Sequence, residues 1–324
     1  LYLDGYQRSE KALLAAIQQM VLDGVSTNKI QKITKKLSGE MSFSKSTVSR
    51  LIKELDPMVR EWRRRQLKSH YEYMISDACY FYVRENKRVV KRPLLISLGV
   101  TPGGHREILG VDMAVTESED TWREHHRRLK GRGISSVNLT ISDAHRGLVN
   151  VMEEEYSGAP HQRCMVHFQR NILAKVPSKD KKLVSKYVKQ IYSSPTKEMA
   201  LKISSMVADR FRDKYPRVSR LLDEHIEETL AFYDFPEHHR RKIRTTNLIE
   251  GTLNSQLKRR SKVVGIFPNR ESCIRYACCL LMEIDEDWQT GRRYMRMEEN
   301  DTEETDEFLE KIKEVKLTEE LVTQ

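Results

Sequence analysis

Three acidic residues stand where acids are expensive. Asp77 lies inside the apolar run MISDACYF, Asp143 closes VNLTISD, and Glu250 sits beside the apolar face of TTNLIEGTLNSQLKRR. A carboxylate among buried apolar neighbours must be paired or hold a cation. Three that converge would hold two Mg²⁺ ions about 4 Å apart, one serving the attacking and one the leaving oxygen of a phosphodiester. Taken singly, each has a plainer role. Asp143 can cap the helix that follows it, Glu250 can pair with Lys258 or Arg259, and Asp112 in GVDMA competes with Asp77 as a strand-borne acid.

A second constellation is Cys164 and His167, three apart in QRCMVHFQRN. Tetrahedral structural zinc normally takes two such short-spaced pairs. Cys79, Cys273, Cys278 and Cys279 form no C-x2-C pair, and His161 shares the stretch with Cys164. The spacing therefore favours Cys164 as a buried small side chain ending a strand and His167 as the opening of a helix, with no zinc. The odd, unpatterned cysteine set fits a reducing cytosol.

These residues need elements to position them. Residues 1–70 read as helices: SEKALLAAIQQMVLDG places Leu13, Ile17, Met20 and Val21 on one face and stops at Gly24. STNKIQKITKKLSG does the same with Ile30, Ile33 and Leu37 and stops at Gly39. In SKSTVSRLIKEL, Ser44 is the expected N-cap and Val48, Leu51, Ile52 and Leu55 the buried stripe. Lys45, Ser46, Ser49, Arg50 and Lys53 are left outward, the face a helix-turn-helix needs to enter a major groove; the alternative is a plain three-helix bundle, whose exposed face need not be so free of acids. Asp56-Pro57 is expected to restart the chain, as cap and first residue of the basic connector helix PMVREWRRRQLKSH.

From Tyr71 the pattern becomes β-β-β-α-β-α-β, the signature of an α/β core with a mixed sheet. Residues 176–245 read as an all-helical insertion with stripes Leu183, Tyr187, Ile191 and Met199, Ile203, Met206, Val207, the methionines as core filler. In the helix after it, Ile249, Leu253 and Leu257 point inward, and Asn247, Glu250 and Asn254 share the adjoining face. Gly251, in that helix's interior, costs roughly 1 kcal/mol relative to Ala, which suggests close packing or an approaching ligand. ESCIRYACCLLMEIDEDW is a last helix with Ile274, Cys278, Leu281 and Trp288 as its stripe.

The net charge of +10 is uneven. Met297–Gln324 holds eleven acids against three lysines, a net of −8, which leaves +18 on residues 1–296. That body has the electrostatics of a polyanion binder, with Lys258, Arg259 and Arg260 as one basic run. No stretch approaches the ~18 apolar residues of a membrane span, and no signal peptide is read, so no membrane partner is expected.

The segments SDACYFYVR, REILGVDMAVTESEDTW, TISDAHRGL, QRCMVHFQRNI, RTTNLIE and VVGIFPNRES, taken together and in order, resemble the Mutator-type insertion-sequence transposases of bacteria and archaea, across most of residues 20–290. The resemblance implies an RNase H-like core (71–175 and 246–296) with a DDE site, interrupted by the helical insertion (176–245). The N-terminal helix-turn-helix domain (1–70) and an acidic C-terminal tail (297–324) complete the expected organisation. It implies Asp77, Asp143 and Glu250 as catalytic and metal-holding residues, two Mg²⁺ or Mn²⁺ ions, and Asp112 outside the set. Cys164 and His167 match the family's C-x2-H pair beside the catalytic acids, and with Asn247 are expected to support them. Tyr82 stands where many relatives have Lys, and Ala144 where they have Gly. The N-terminus reads as shorter than usual, so part of an end-recognition domain is expected to be absent.

The implied function is metal-assisted DNA cleavage at terminal inverted repeats followed by strand transfer into target DNA. The expected assembly is a homodimer or higher oligomer on DNA, in a bacterial or archaeal cytoplasm at the nucleoid. The rival readings are an inactive element-derived DNA-binding protein, which would have no need of the three acids, and an RNase H-like nuclease without strand transfer.

Overall fold

The computed structural model describes residues 15–23, 25–38 and 44–297. Leu13, Gly24, Gly39, the side chains of Leu37 and Lys45, and the acidic stretch from residue 298 lie outside the described residues. Three helices open the chain, α1 (residues 15–22), α2 (Thr27–Ser38) and α3 (Lys45–Lys53). They close on Ile17, Ile30, Val48 and Leu51, the expected faces, whereas Ile52 and Leu55 are only half-buried. Ser44 caps α3 by accepting the Thr47 N–H at 3.1 Å.

The connector helix α4 (Asp56–Arg64) departs from expectation at its start. Leu55 occupies the cap position and Asp56 is already helical. The Asp56 carboxylate is drawn off by a distant partner, the Arg275 guanidinium, at 2.5 and 2.9 Å. Arg275 belongs to α13 (Arg270–Thr290), a helix buried on nearly every side. The same helix supplies Asp285, which accepts from Arg65 at 3.0 Å, Trp62 Nε1 at 3.3 Å and the Ile108 N–H at 2.6 Å. The basic connector is therefore clamped to the core.

The sheet is mixed. Strands β1 (His70–Glu85), β2 (Arg88–Val100) and β3 (Arg106–Met113) form an antiparallel meander. Its first turn places Asn86 and Lys87 at φ 47° and 63°, the left-handed pair that a two-residue hairpin needs to match strand twist. Helix α5 (Glu119–Gly131) then crosses to β4 (Ser136–Ser142), and α6 (Arg146–Glu155) to β5 (His161–Arg163), both strands running parallel to their neighbours. The order is β3-β2-β1-β4-β5, and the short β6 (Ile266–Phe267) also pairs with β1. β4 pairs with β1 as far as Ile75, and β6 takes over at Tyr82. Asp77 sits in the gap between them, where that edge of β1 is free of strand pairing.

Between β5 and β6 the chain is helical: α7 (Met165–Leu173), α8 (Lys181–Ile191), α9 (Lys197–Phe211), α10 (Pro216–His225) and α11 (Glu237–Ile243), with short 3₁₀ turns. The expected stripes hold in part here: Ile191 and Val207 are buried and Tyr187 and Ile203 pack against the core, but Leu183, Met199 and Met206 do not. Val184, Val188 and Ile191 are buried while Leu183 is exposed, and α9 buries Ala200, Ser204, Val207, Ala208 and Phe211 while Met199 and Met206 face out. Three of the five buried positions are small residues, so the inner face of α9 is marked less by large apolar side chains than the expected stripe was. The methionines are not core filler.

Asp112 is held by the Arg63 guanidinium at 2.5 Å, His125 Nδ1 at 2.6 Å and Arg128 at 3.1 Å, ion pairs that join β3 to α4 and α5. Burial works against its charge, but His125 and the two arginines win and bring its pKa down to about 2. A depressed carboxylate contributes stability that is present above its ordinary value near 3.8 and is lost as pH falls toward 2. Asp112→Asn is expected to cost ~3 kcal/mol at pH 7 in urea denaturation, and the difference from wild type should shrink between about pH 4 and pH 2. An unchanged midpoint at pH 7 would show that the cluster does not join these elements.

Candidate active site

The gap along β1 opens a cleft of ≈ 260 Å³ lined by Asp77, Asp143 and Glu250. The three come from different local devices. Asp77 is a strand residue, 9% exposed, that lines the cleft. Asp143 follows the last residue of β4, and its Oδ1 accepts the His145 N–H at 2.9 Å. It does not cap α6, because His145 occupies that position and accepts from Leu148 N. Glu250 rides on a π-helix, Leu248–Asn254, which continues into α12 (Ser255–Ser261). Leu253 and Ile249 anchor that helix in the core, and Leu257 does the same for α12.

Glu250 is fixed from several sides. The Thr246 hydroxyl lies 2.7 Å from its Oε1, His167 Nε2 lies 3.3 Å from Oε1, and Arg170 Nη1 donates to Oε2 at 3.1 Å. Its ion-pair partners are therefore residues of α7 and not Lys258 or Arg259. Burial raises the Glu250 pKa, but Thr246, His167 and Arg170 hold it below the ordinary value. Asp77 goes the other way. Burial first, then the charges of Glu250 and Asp143, push it up to about 7.

Cys164 and His167 lie beside these acids. The Cys164 N–H donates to Ser142 O at 2.7 Å, next to Asp143, and its Sγ accepts the Thr246 N–H at 3.3 Å. One residue thus ties the end of β4 to the start of the segment that carries Glu250. Cys164, His167 and Glu250 present donor atoms within 4.8 Å of one another. The carboxylate is a third donor that spacing alone did not reveal, and no fourth Cys, His, Asp or Glu joins the group among the described residues. The nearby sulfur, opposed by burial and helped by Glu250 and Asp143, raises His167 to about 9.

Two further residues belong to the cleft. Glu117 lines it, held by Tyr80 Oη–H and by Trp122 Nε1 at 3.4 Å. Its only sequence signal is an acid placed just before a helix cap. Asn254 is buried and donates to Asp77 Oδ2 at 3.2 Å, which leaves its own Oδ1 buried without a partner. Asn247, by contrast, is exposed at the start of the π-helix. Gly251 is exposed too, and a Cβ there would meet nothing within 4 Å, which removes close packing as its reason.

The residues expected to contact nucleic acid are scattered. Ser46, Ser49, Arg50 and Lys53 are exposed on α3. Lys258 lines the cleft, Arg259 is exposed, and Arg260 is engaged by Asp23 at 3.4 Å and Glu283 at 3.3 Å. No helix among the described residues is long and apolar enough to cross a membrane.

Four carboxylates around one cleft, one of them nearly buried, together with an orphaned amide oxygen, fit a divalent cation with oxygen ligands. Because the Asp77 pKa is raised, the metal-free fold retains a proton that the unfolded chain releases, so stability falls as pH rises from about 4 to about 7. Asp77→Asn should therefore raise the melting temperature in chelator at pH 8. Mg²⁺ should stabilise the wild type and have much less effect on the variant. Elemental analysis of the same protein should find no stoichiometric zinc. A variant no more stable than wild type in chelator would refute the strained-carboxylate account.

Comparison with known proteins gives the chain's relatives. The family described as "Transposase, Mutator family" matches residues 2–291. The transposase for insertion sequence element ISRM5 of Rhizobium meliloti is 38% identical over 294 residues, covering 91% of this chain and 73% of that protein. The transposase for IS256 in transposon Tn4001 of Staphylococcus aureus is 38% identical over 297 residues, 90% of this chain and 75% of that one. The transposase for IS1081 of Mycobacterium tuberculosis is 38% identical over 293 residues, 90% and 70% respectively.

Proposed function

The chain belongs to the Mutator family of transposases, and from that premise we propose that its acidic cleft cuts and joins DNA at the ends of an insertion sequence. The observation that carries this reading is the convergence of Asp77, Asp143 and Glu250 on one cleft from a strand, a strand end and a π-helix. In this reading the core is RNase H-like, the three acids are the DDE set, and the N-terminal helices are a helix-turn-helix that reads the terminal repeats.

Two divalent cations, Mg²⁺ or Mn²⁺, would supply charge neutralisation and activation of the attacking oxygen. Asp77, Asp143 and Glu250 would hold them, with Glu117 and the Asn254 amide oxygen within the same cleft. The chain's own residues do the rest. Thr246, His167 and Arg170 keep Glu250 ionised and aimed, and Asn254 orients Asp77. Lys258 offers the cleft a positive charge for a phosphate. In the first reaction a water oxygen attacks phosphorus and the 3′-oxygen leaves as a 3′-hydroxyl. In the second, that hydroxyl attacks a target phosphodiester, forming one P–O bond as another breaks.

Gly251 gains a meaning here. A Cβ at this exposed glycine beside Glu250 would meet nothing of the chain, so Gly251→Ala should leave the fold intact or slightly stabilised, and slower cleavage by that variant would show that DNA approaches the cleft across this position.

The decisive assay uses duplexes that carry the element's ends, read from the DNA flanking the coding region, with Mg²⁺ and a target plasmid. Wild type should nick the end to a 3′-hydroxyl and join it to the target. Ala at Asp77, Asp143 or Glu250 should abolish both reactions while end binding persists. Arg50→Ala should cost ~1–3 kcal/mol of discrimination against scrambled ends. Cleavage that survives all three acid substitutions would disprove the site, and nicking without joining would reduce the activity to that of a nuclease.

A further inference from the structure

The catalytic cleft is not the largest concavity of the molecule. A groove of ≈ 930 Å³ runs between α4, the edge strand β3 and α5, and it is lined by arginine. Helix α4 contributes Arg60, Arg63 and Arg64, and α5 contributes Arg123, Arg127 and Arg128, each set at the i, i+3, i+4 or i, i+4, i+5 spacing that keeps one helix face basic. Arg132, just past α5, completes the lining, against three acids, Asp112, Asp120 and Glu124.

Internal ion pairing takes up part of this charge: Asp112 holds Arg63 and Arg128, Glu124 also holds Arg128, Glu119 and Glu154 hold Arg123, and Glu155 holds Arg127, which leaves Arg60, Arg64 and Arg132. Arg60 and Arg64 are exposed, and no acid pairs with either among the described residues. Arg132 donates from Nε to Arg65 O at 2.8 Å and from Nη1 to Leu109 O at 2.6 Å, and its Nη2 is buried without a partner. The two basic walls are also held at a fixed separation, because Asp112 bridges them and α13 clamps α4 through Asp56 and Asp285.

We infer that this groove is a second track for DNA, one that grips the phosphate backbone without reading sequence. Guanidinium forks match phosphate oxygens, and arginines on two rigid helices meet a ligand that carries charge at regular intervals. The lining contains no aromatic side chain, so it offers no platform for unstacked bases, which favours duplex over single strand. The inference rests on the charge and geometry of the groove and is independent of the chemistry assigned to the cleft.

The test measures binding of the full chain to a 30-base-pair duplex of arbitrary sequence, without divalent metal, across a salt series. Arg60→Ala/Arg64→Ala alters two exposed, unpaired residues, and its melting temperature should equal that of wild type. Its plot of log affinity against log salt should flatten by about 1.8, or 0.9 for each phosphate no longer neutralised. Arg60→Lys/Arg64→Lys should restore most of the slope. Mg²⁺-dependent nicking of a short end duplex at saturation should be unaffected, so absence of nicking in wild type would count against the cleft and leave the groove standing. An unchanged slope in the alanine pair overturns the inference. So does a slope change absent from DNA but present for an acidic peptide such as residues 298–324, which would assign the groove to polypeptide.

Discussion

The structure is organised around mutual repulsion. Asp77, Asp143 and Glu250 share one small cleft, and Asp77 is almost buried in it. Desolvation and like charge both oppose ionisation there, and its pKa rises to about 7 in consequence. A fold that only sought stability would place an apolar side chain at this position of a central strand. Keeping the carboxylate requires that the neighbouring acids be fixed by cations and hydroxyls of the chain itself. It also requires that the strand edge beside Asp77 be left open. The break between the β4 and β6 pairings provides that opening.

The π-helix answers a related geometric demand. With i→i+5 hydrogen bonding, a π-helix has more than four residues per turn, so residues four apart nearly eclipse one another. Thr246, Glu250 and Asn254 are spaced four apart, the last two within the π-helix and Thr246 just before it, where the Glu250 N–H bonds to Thr246 O at 3.1 Å. The first supports the second at 2.7 Å, and the third reaches Asp77 at 3.2 Å. An α-helix would rotate these positions progressively away from the cleft. The wider turn keeps the carboxylate and the amide in one column, and Cys164 secures the turn before it through the Thr246 N–H.

Much of this was legible in the sequence because it is local. Alternating β-branched and aromatic runs delimit β1 to β4 to within a few residues, and the improbable position of Asp77 within one of them marks the site. What the sequence hides is set by distant partners. Asp56 reads as a helix cap until Arg275, 219 residues away, claims its carboxylate. Glu250 reads as the partner of nearby Lys258 or Arg259, yet α7 supplies Arg170, from 80 residues upstream, and His167. On α9 the hydrophobic signal itself misleads, since Ala200, Ser204 and Ala208 pack inward and Met199 and Met206 do not. Glu117 and the arginine groove fall in the same class, because each exists only once separate segments are brought together.

Charge is segregated in a way that bears on how such a molecule could hold DNA. The cleft carries four carboxylates against Lys258 and His167, so without metal it repels a phosphate backbone. Affinity must then come from surfaces outside it, and residues 1–296 have +18 to supply it. Helix α5 links the two regions: Glu117, just before its cap, lines the cleft, and Arg123, Arg127 and Arg128 further along line the groove. On the proposed reading, the basic surfaces hold the duplex whether or not metal is present, and cation binding changes the sign of the cleft alone. Binding and chemistry would then be separable by chelation. Holding DNA would require only the arginines and lysines, and cutting it would require the acids to be neutralised first.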